Sequence, residues 1–326
     1  MRRAMAFAEQ GGRRHHGAVL RGHERRSSKA NMILGSTLID DTFAEAFRMR
    51  YARLIVTAHD DHWLHAAVAE FSGYASSIIA CDAEAGVERW LSPNATPDGR
   101  PGAALLAFGF SAENLGRAML NRTGQCLMTC PTTAVYDGLP AAEERFPLGK
   151  LLRFFGDGFQ KSKVVGGERF WRIPVMDGEF FVVESLGVEK GIGGGNIILQ
   201  SADQNEALAA ARRGVEAVAE LAGAITPFPG GVARSGSKVG SRYKKLKAST
   251  SDPFCPTLRG RVESRIHPEA NFAYEIVIDG VDELSVGNAM TAAMRAAVAP
   301  AILAISAGNY GGKLGKFHFH LRELLK

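Results

Sequence analysis

Two glycine-rich segments carry residues that could bind a polar ligand. Near the C-terminus, an apolar run over residues 301–305 leads into a loop that combines four glycines with Ser306, Asn309 and Lys313. Glycine lets a ligand approach the main chain closely, and the polar side chains can hold a polar or anionic group. A second loop, PFPGGVARSGSK, occupies residues 227–238. Together these loops predict a site for a large, polar organic substrate.

The candidates for acid–base and covalent chemistry are Glu275 and Cys126. Glu275 lies in the apolar, strand-like run YEIVID at residues 274–279, and its position alone favours a side chain in solvent. In a desolvated site its pKa would instead rise, and the carboxyl could donate a proton near neutral pH. Cys126 could carry an acyl group covalently, although an inert, buried thiol is the more common role.

Other segments resemble chemical motifs without meeting their requirements. His59, His62 and His65 have a spacing that could bring metal ligands to one helix face, but no further ligand pattern accompanies them, so we expect no metal. Residues 191–196, GIGGGN, are followed by strand-like residues and therefore do not fit a dinucleotide fingerprint. Residues 235–240 lack the frame of a phosphate-binding loop. We interpret both as turns.

Composition is ordinary for a soluble globular chain of about two domains: of 326 residues, 46% are hydrophobic and 22% charged. The formal charge of +5 is uneven, since residues 1–31 hold eight basic and two acidic side chains, which leaves 31 basic and 32 acidic side chains beyond them. Residues 1–31 also lack an apolar pattern, so we expect a disordered basic extension upstream of a true start at Met32. Four cysteines provide no disulfide framework, no apolar run reaches the roughly 18 residues of a membrane span, and the aromatic signature of RNA-recognition strands is absent. A reducing cytoplasm fits best, with neither membrane nor nucleic acid as a partner.

The elements that must position these residues alternate between strands and helices. Apolar periodicity predicts helices over residues 42–50, 61–71, 112–121, 203–221 and 282–298. It predicts strands over residues 53–57, 77–81, 103–110, 179–188, 197–200, 273–278, 302–305 and 316–321. This order predicts an α+β fold of two packed ferredoxin-like lobes, with an N-terminal lobe at residues 32–175 and a C-terminal lobe at residues 176–326.

Motifs spread along the chain resemble those of the formylmethanofuran:tetrahydromethanopterin formyltransferases. Their order and their coverage from about residue 39 to the C-terminus make the resemblance specific, and residues 1–31 lie outside it. The motifs are IDDTFAEAF (39–47), EAG (84–86), TPDGRPG (96–102), RTGQCLMTCPT (122–132), FFGDGFQ (154–160), GIGGGN (191–196), PFPGGVARSGSKVGS (227–241), YEIVIDG (274–280) and ISAGNYGGKLG (305–315).

The resemblance implies an acyltransferase that moves a formyl group between the amine of methanofuran and N5 of tetrahydromethanopterin, without a metal or a tightly bound cofactor. It implies a cytoplasmic homotetramer of subunits with two ferredoxin-like lobes. In methylotrophic bacteria it implies hydrolase-complex subunits as partners and a role in the oxidation of formaldehyde to formate. The alternative is a chain that is mainly a structural subunit of a formyltransferase/hydrolase complex.

The resemblance also implies roles for single residues. It assigns the acid to Glu275, against the preference from position alone. A thioformyl route through Cys126 stays open as an alternative. The residues expected to bind substrate are Gln125, Pro229, Gly230, Ser237, Lys238, Ser306, Asn309, Gly311, Gly312 and Lys313.

Overall fold

Strands dominate the structure, a computed structural model that describes residues 31–326. The extension expected at residues 1–31 lies, except for Asn31, outside this range. The helices are α1 (Asp61–Ser72), α2 (Ala112–Arg122), α3 (Leu148–Leu152), α4 (Gln204–Ala219), α5 (Glu283–Ala297) and α6 (Leu321–Leu324). The strands are β1 (Met32–Leu34), β2 (Thr37–Ile39), β3 (Phe43–Thr57), β4 (Glu84–Leu91), β5 (Gly102–Gly109), β6 (Ala134–Asp137), β7 (Glu144–Phe146), β8 (Lys161–Val165), β9 (Glu168–Val175), β10 (Gly178–Val183), β11 (Leu186–Ser201), β12 (Ala224–Ile225), β13 (Ser237–Val239), β14 (Ala248–Thr250), β15 (Phe272–Gly280), β16 (Ile302–Ser306) and β17 (Phe317–His320).

Two long strands, β3 and β11, join the halves of the chain. Along its length β3 pairs in turn with β17, β11 and β5, and its last residues also pair with β6. Along its own length β11 pairs with β7, β3, β15 and β16. All but the β13–β14 hairpin belong to one connected sheet of 15 strands. Each long strand therefore fixes elements of one half against elements of the other.

Each half has its own hydrophobic core on this sheet. In the first, α1 and α2 cover β3 and β5, and Phe71, Leu105 and Leu115 are fully buried. In the second, α4 and α5 cover β11 and β15, with Ile197 and Ile276 fully buried. The four helices begin where a side chain accepts the N–H three residues ahead and so satisfies a free donor. These capping residues are Asp60, Ser111, Asp203 and Asp282.

Small residues bring α4 and α5 close together. A Cβ placed on Gly214 of α4 would lie 2.8 Å from Ile276 Cδ1 and 3.4 Å from the carbonyl oxygen of Ala293 on α5.

The helices expected at 61–71, 112–121, 203–221 and 282–298 are confirmed as α1, α2, α4 and α5. In residues 31–326, no helix is both long and apolar enough to cross a membrane.

Three predictions of helices and strands were wrong. Residues 42–50 form the start of β3 instead of a helix, because pairing first with β17 and then with β11 overrides their helical composition. Residues 77–81 form turns instead of a strand, and their main chain pairs with no neighbouring strand. The single strand expected at 179–188 is divided between β10 and β11.

The glycines of residues 191–196 do not form the expected turn, since β11 runs straight through them with a bulge between Ile192 and Gly195. Only Gly194 has a positive φ, +92°, at the bulge itself. The neighbouring glycines serve close packing: a Cβ on Gly193 would lie 2.1 Å from Met49 Sδ, and one on Gly195 would lie 2.5 Å from Val286 Cγ1. Glycine is needed here because a side chain would meet neighbouring residues on either face of β11, and not because the chain changes direction.

Candidate active site

A cavity of about 380 Å³ lies beside the bulge of β11. Its wall combines β11 and β15 with the two glycine-rich loops expected from the sequence. The apolar part of the lining comes from Phe47, Met49, Phe110, Phe228, Phe254 and Val277, and the polar part includes Glu275, Asn196, Ser237, Lys238, Asn309 and Tyr310. A mostly apolar wall with a few placed polar groups is typical of a site for an organic ligand.

Glu275 lies on β15 and faces this cavity. Its main chain is fixed on both sides, by pairing with Ile198 of β11 and by two hydrogen bonds to Ala233 of 2.8 and 3.0 Å. Within residues 31–326 no hydrogen bond or ion pair reaches its carboxyl group, and burial raises its pKa to about 7. Cβ atoms on Gly236 and Gly308 would lie 3.8 and 3.7 Å from its two oxygens. Glu275 is therefore a carboxylic acid that is partly protonated at neutral pH and open to a ligand.

Glu45 of β3 holds the C-terminal glycine loop. One carboxylate oxygen accepts the N–H groups of Tyr310 and Gly312 at 2.7 and 2.8 Å, and the other accepts those of Leu314 and Gly315, both at 2.6 Å. Burial opposes ionisation of this carboxyl, but the four N–H donors outweigh it and lower the pKa. The loop amides that could have bound an anion are thus directed at the protein's own carboxylate.

Asn196 connects the same loop to the bulge of β11. Its Oδ1 accepts the N–H of Gly308 at 2.6 Å, while its Nδ2 donates to the carbonyls of Gly308 and Gly194, both at 3.2 Å. Because Gly308 borders the Glu275 carboxyl, this side chain sets the width of the cavity at the acid.

Tyr310 adds a hydroxyl to the lining. Burial, and then the charges of Glu275 and Glu45, raise the pKa of its phenol, so that the group remains a neutral donor at physiological pH. Sequence reasoning missed Glu45, Asn196 and Tyr310. Glu45 could have been noticed as a carboxylate between two alanines, which is unusual in a strand. Because residues 42–50 were interpreted as a helix, it was overlooked.

The structure brings four of the expected site residues to the cavity: Glu275, Ser237, Lys238 and Asn309. Lys238 also forms a 2.6 Å ion pair with Asp252, whose pKa it lowers. The amide of Asn309 donates to the Thr42 hydroxyl and to the Phe43 carbonyl, both at 3.1 Å, and so helps to anchor the loop.

The remaining expected substrate-binding residues do not line this cavity. Pro229 and Gly230 follow the lining residue Phe228, and Ser306 is buried with its hydroxyl hydrogen-bonded to Asp40. Gly311, Gly312 and Lys313 belong to the loop held by Glu45 but do not line the cavity. Gln125 is exposed in a π-helical turn after α2. The substrate-binding roles expected for these four residues stay predictions.

Cys126 also lies away from the cavity, in a π-helical turn that packs on the first core. Burial raises the pKa of its thiol. A nucleophilic cysteine needs a lowered pKa and access to substrate, and this one has neither in the described structure.

Comparisons with known proteins agree along the whole described chain. A family model described as formylmethanofuran-tetrahydromethanopterin formyltransferase matches residues 32–175, and one for the proximal lobe of the same enzyme matches residues 178–324. The formylmethanofuran–tetrahydromethanopterin formyltransferase of Methylococcus capsulatus is 52% identical over 298 residues, which cover 90% of this chain and all of that protein.

Two solved structures are similar over the same region. The formyltransferase of Methanosarcina barkeri superposes with a TM-score of 0.86 at 46% identity, covering 90% of this chain and 100% of that one. A chain of the formyltransferase/hydrolase complex of Methylorubrum extorquens, solved with methylofuran, superposes with a TM-score of 0.88 at 44% identity, covering 91% and 99%.

These matches confirm the resemblance, the α+β fold class and the expectation of an enzyme that transfers formyl groups. They do not favour the alternative of a mainly structural subunit. The chain belongs to the family of formylmethanofuran–tetrahydromethanopterin formyltransferases.

Proposed function

We propose that this chain catalyses transfer of a formyl group between the amine of methanofuran and N5 of tetrahydromethanopterin, both of which act as substrates. The observation that carries the proposal is Glu275. Its carboxyl has no polar partner in residues 31–326, its pKa is raised to about 7, and it faces the cavity beside the β11 bulge. Acid–base catalysis is most effective when the pKa of the group is near the working pH.

Glu275 can serve the chemistry of this transfer directly. Movement of a formyl group from an amide to an amine passes through a tetrahedral oxyanion, and the leaving amine must gain a proton. A neutral carboxylic acid in an apolar wall can donate a hydrogen bond to that oxyanion or a proton to that amine. The Tyr310 hydroxyl is a second donor in the same cavity, and one such donor contributes about 3 kcal/mol to the stabilisation of the oxyanion.

The assembly and context belong to the same proposal. We assign the chain to a cytoplasmic homotetramer that acts with hydrolase subunits in the oxidation of formaldehyde to formate. Of these assignments, the hydrolase subunits are supported by the related Methylorubrum extorquens protein, which is named as part of a formyltransferase/hydrolase complex. Large apolar side chains exposed in one segment support a contact surface for a second copy of the chain, since monomers rarely expose such patches. They are Phe154, Phe155, Phe159 and Met176, which are 65% or more exposed.

The proposal is tested by an assay of the purified chain with both carriers. The wild type should transfer formyl groups without partner proteins. Glu275→Gln should bind both carriers with similar KM values but lower kcat by roughly 100-fold or more, because the amide cannot give up a proton. Glu216→Gln, on the exposed face of α4, is the matched control and should retain wild-type rates. Transfer at the wild-type rate by Glu275→Gln contradicts the assigned role, and absence of transfer by the wild type contradicts the function.

A further inference from the structure

Two further acids, Glu84 and Asp279, form a pair where the two halves of the chain meet, and Glu84 lines the cavity. Glu84 begins β4 and is opposite Phe108 of β5, while Asp279 is near the end of β15 and opposite Ile225 of β12. Glu84 is 6% exposed and Asp279 is fully buried. Their carboxyl groups are within hydrogen-bonding distance of each other. Neither side chain has a role in the function proposed above.

The contacts of the pair leave one oxygen that only a proton can satisfy. Glu84 Oε1 accepts the N–H of Ile78 at 2.8 Å, and Asp279 Oδ1 accepts the N–H of Gly194 at 2.9 Å. Asp279 Oδ2 is buried and meets no donor within residues 31–326. Two buried carboxyl groups joined by a hydrogen bond cannot both stay ionised, so the pair retains one proton, for which Asp279 Oδ2 is the open position. Burial raises the pKa of both groups, and the charge of Glu84 raises that of Asp279 further, whereas the hydrogen bond from Asp279 lowers that of Glu84; the retained proton therefore belongs mainly to Asp279.

Glu84 lines the same cavity as Glu275, together with Gly193 and Gly194 of the β11 bulge. The transfer reaction needs two proton movements: the attacking amine must lose a proton and the leaving amine must gain one. Glu275 provides for only one of them. The other requires a second group that contacts the substrate from the cavity wall.

We propose that Glu84, backed by Asp279, is a second catalytic residue, which exchanges the proton of the attacking amine. In this step, which rests on the proposed function, the bond between N5 and the formyl carbon forms and the proton of N5 passes to the singly protonated pair. The bond from the formyl carbon to the leaving amine breaks as that amine takes the proton of Glu275. Water then carries the extra proton from the pair back to Glu275. The reverse reaction uses the same groups with their roles exchanged.

The surroundings of the pair define its pH response. Cys81 and Asp82 precede Glu84 in the chain, and Asp82 is itself paired with Arg122. The titratable or charged side chains across the cavity are Glu45, Lys238, Arg265, Glu275 and Tyr310. The charge that raises the pKa of Asp279 is that of Glu84, while Asp279 acts on the pKa of Glu84 through a hydrogen bond.

Glu84→Gln is a sharp test because it preserves each contact. The Gln Oε1 can still accept from Ile78, and its amide N–H can donate to Asp279 Oδ2, so the Tm should stay at the wild-type value. Only the capacity to take a proton is lost. We expect kcat to fall roughly 100-fold with KM for both carriers within about twofold, and the infrared band of the shared carboxylic acid to disappear.

Asp279→Asn provides the second arm. Its amide can donate to Glu84 as the protonated Asp279 does, so kcat should stay within a few-fold of the wild-type value and the acid limb of the kcat–pH profile should not move. Glu216→Gln is again the control. Wild-type kcat in Glu84→Gln, a kcat in Asp279→Asn as low as that of Glu84→Gln, or parallel losses of Tm and activity in both variants would each overturn the proposal. Because wild type is assayed beside them, these outcomes differ from failure of the proposed function, in which wild type itself is inactive. A carboxylic acid band that neither shifts nor weakens in Glu84→Gln overturns the shared proton even then.

Discussion

Replacement of Glu275 by glutamine should make the protein more stable at alkaline pH. Burial raises the pKa of this group from 4.5 to about 7, so the folded state binds the proton more tightly than the unfolded state does. The unfolded chain therefore releases the proton first as pH rises, and stability is lost between pH 4.5 and about 7. Each pKa unit corresponds to 1.36 kcal/mol, which gives a full cost of about 3 kcal/mol above pH 7.

Glutamine is neutral at all pH values and avoids this cost. At pH 8.5, Glu275→Gln should raise the free energy of unfolding by up to about 3 kcal/mol, or the Tm by about 5 °C for a chain of this length. At pH 4.5 the variant and the wild type should be equally stable. The measurement is thermal and urea unfolding across this range, with Glu216→Gln as the control for loss of an exposed carboxylate.

The reasoning is refuted if the variant gains nothing at pH 8.5, or if its gain is the same at every pH. A gain limited to high pH, combined with a large loss of kcat, would show that the acid is held in an environment that opposes its ionisation. Functional sites often carry such a cost in stability.

Three further predictions concern the loop held by Glu45, the Asn196 side chain beside Glu275, and the Cys126 thiol. Glu45→Gln turns an amide toward the N–H groups of two loop residues, so the free energy of unfolding should fall by roughly 3–6 kcal/mol. Hydrogen–deuterium exchange of the amides in residues 308–315 should become faster, and slow exchange in the variant contradicts this prediction. Asn196→Ala removes three hydrogen bonds of Gly308 and Gly194, so it should raise KM at least several-fold and lower the free energy of unfolding by about 1–3 kcal/mol. Unchanged steady-state kinetics would show that these hydrogen bonds do not shape the substrate site. Cys126→Ala should retain wild-type kcat, and a loss of transfer with an intact fold would revive the covalent route.

Much of the fold followed from local patterns. The four long helices were predictable because their apolar spacing agrees with a capping residue at the start, as in Asp203 before α4. The strand at residues 43–50 was not, because its composition is helical and its pairing partners are more than 130 residues away at β11 and further at β17. Long-range pairing of this kind leaves no local trace.

The acid was predictable and its surroundings were not. Glu275 stood out as a charge in an apolar run, and the structure gives it the desolvated position that the family resemblance implied. Glu84 and Asp279 were equally visible as acids, but they lie on β4 and β15, far apart in the chain, so the sequence could not show that they form a pair. The glycines of residues 191–196 were misread because a turn and a crowded strand need the same residue for different reasons.

The contact between Glu45 and residues 310–315 has a consequence for synthesis. The carboxylate leaves the ribosome early, whereas the four amides that donate hydrogen bonds to it are made 265 to 270 residues later. Until they arrive, the N-terminal end of β3 has neither its loop nor β17. We therefore expect a nascent chain that ends before residue 310 to expose this strand to proteases, and a chain released at full length to close it at once; pulse proteolysis of stalled chains would compare the two. Synthesis of residues 310–320, rather than folding of the first half, therefore sets the moment at which this end of β3 closes.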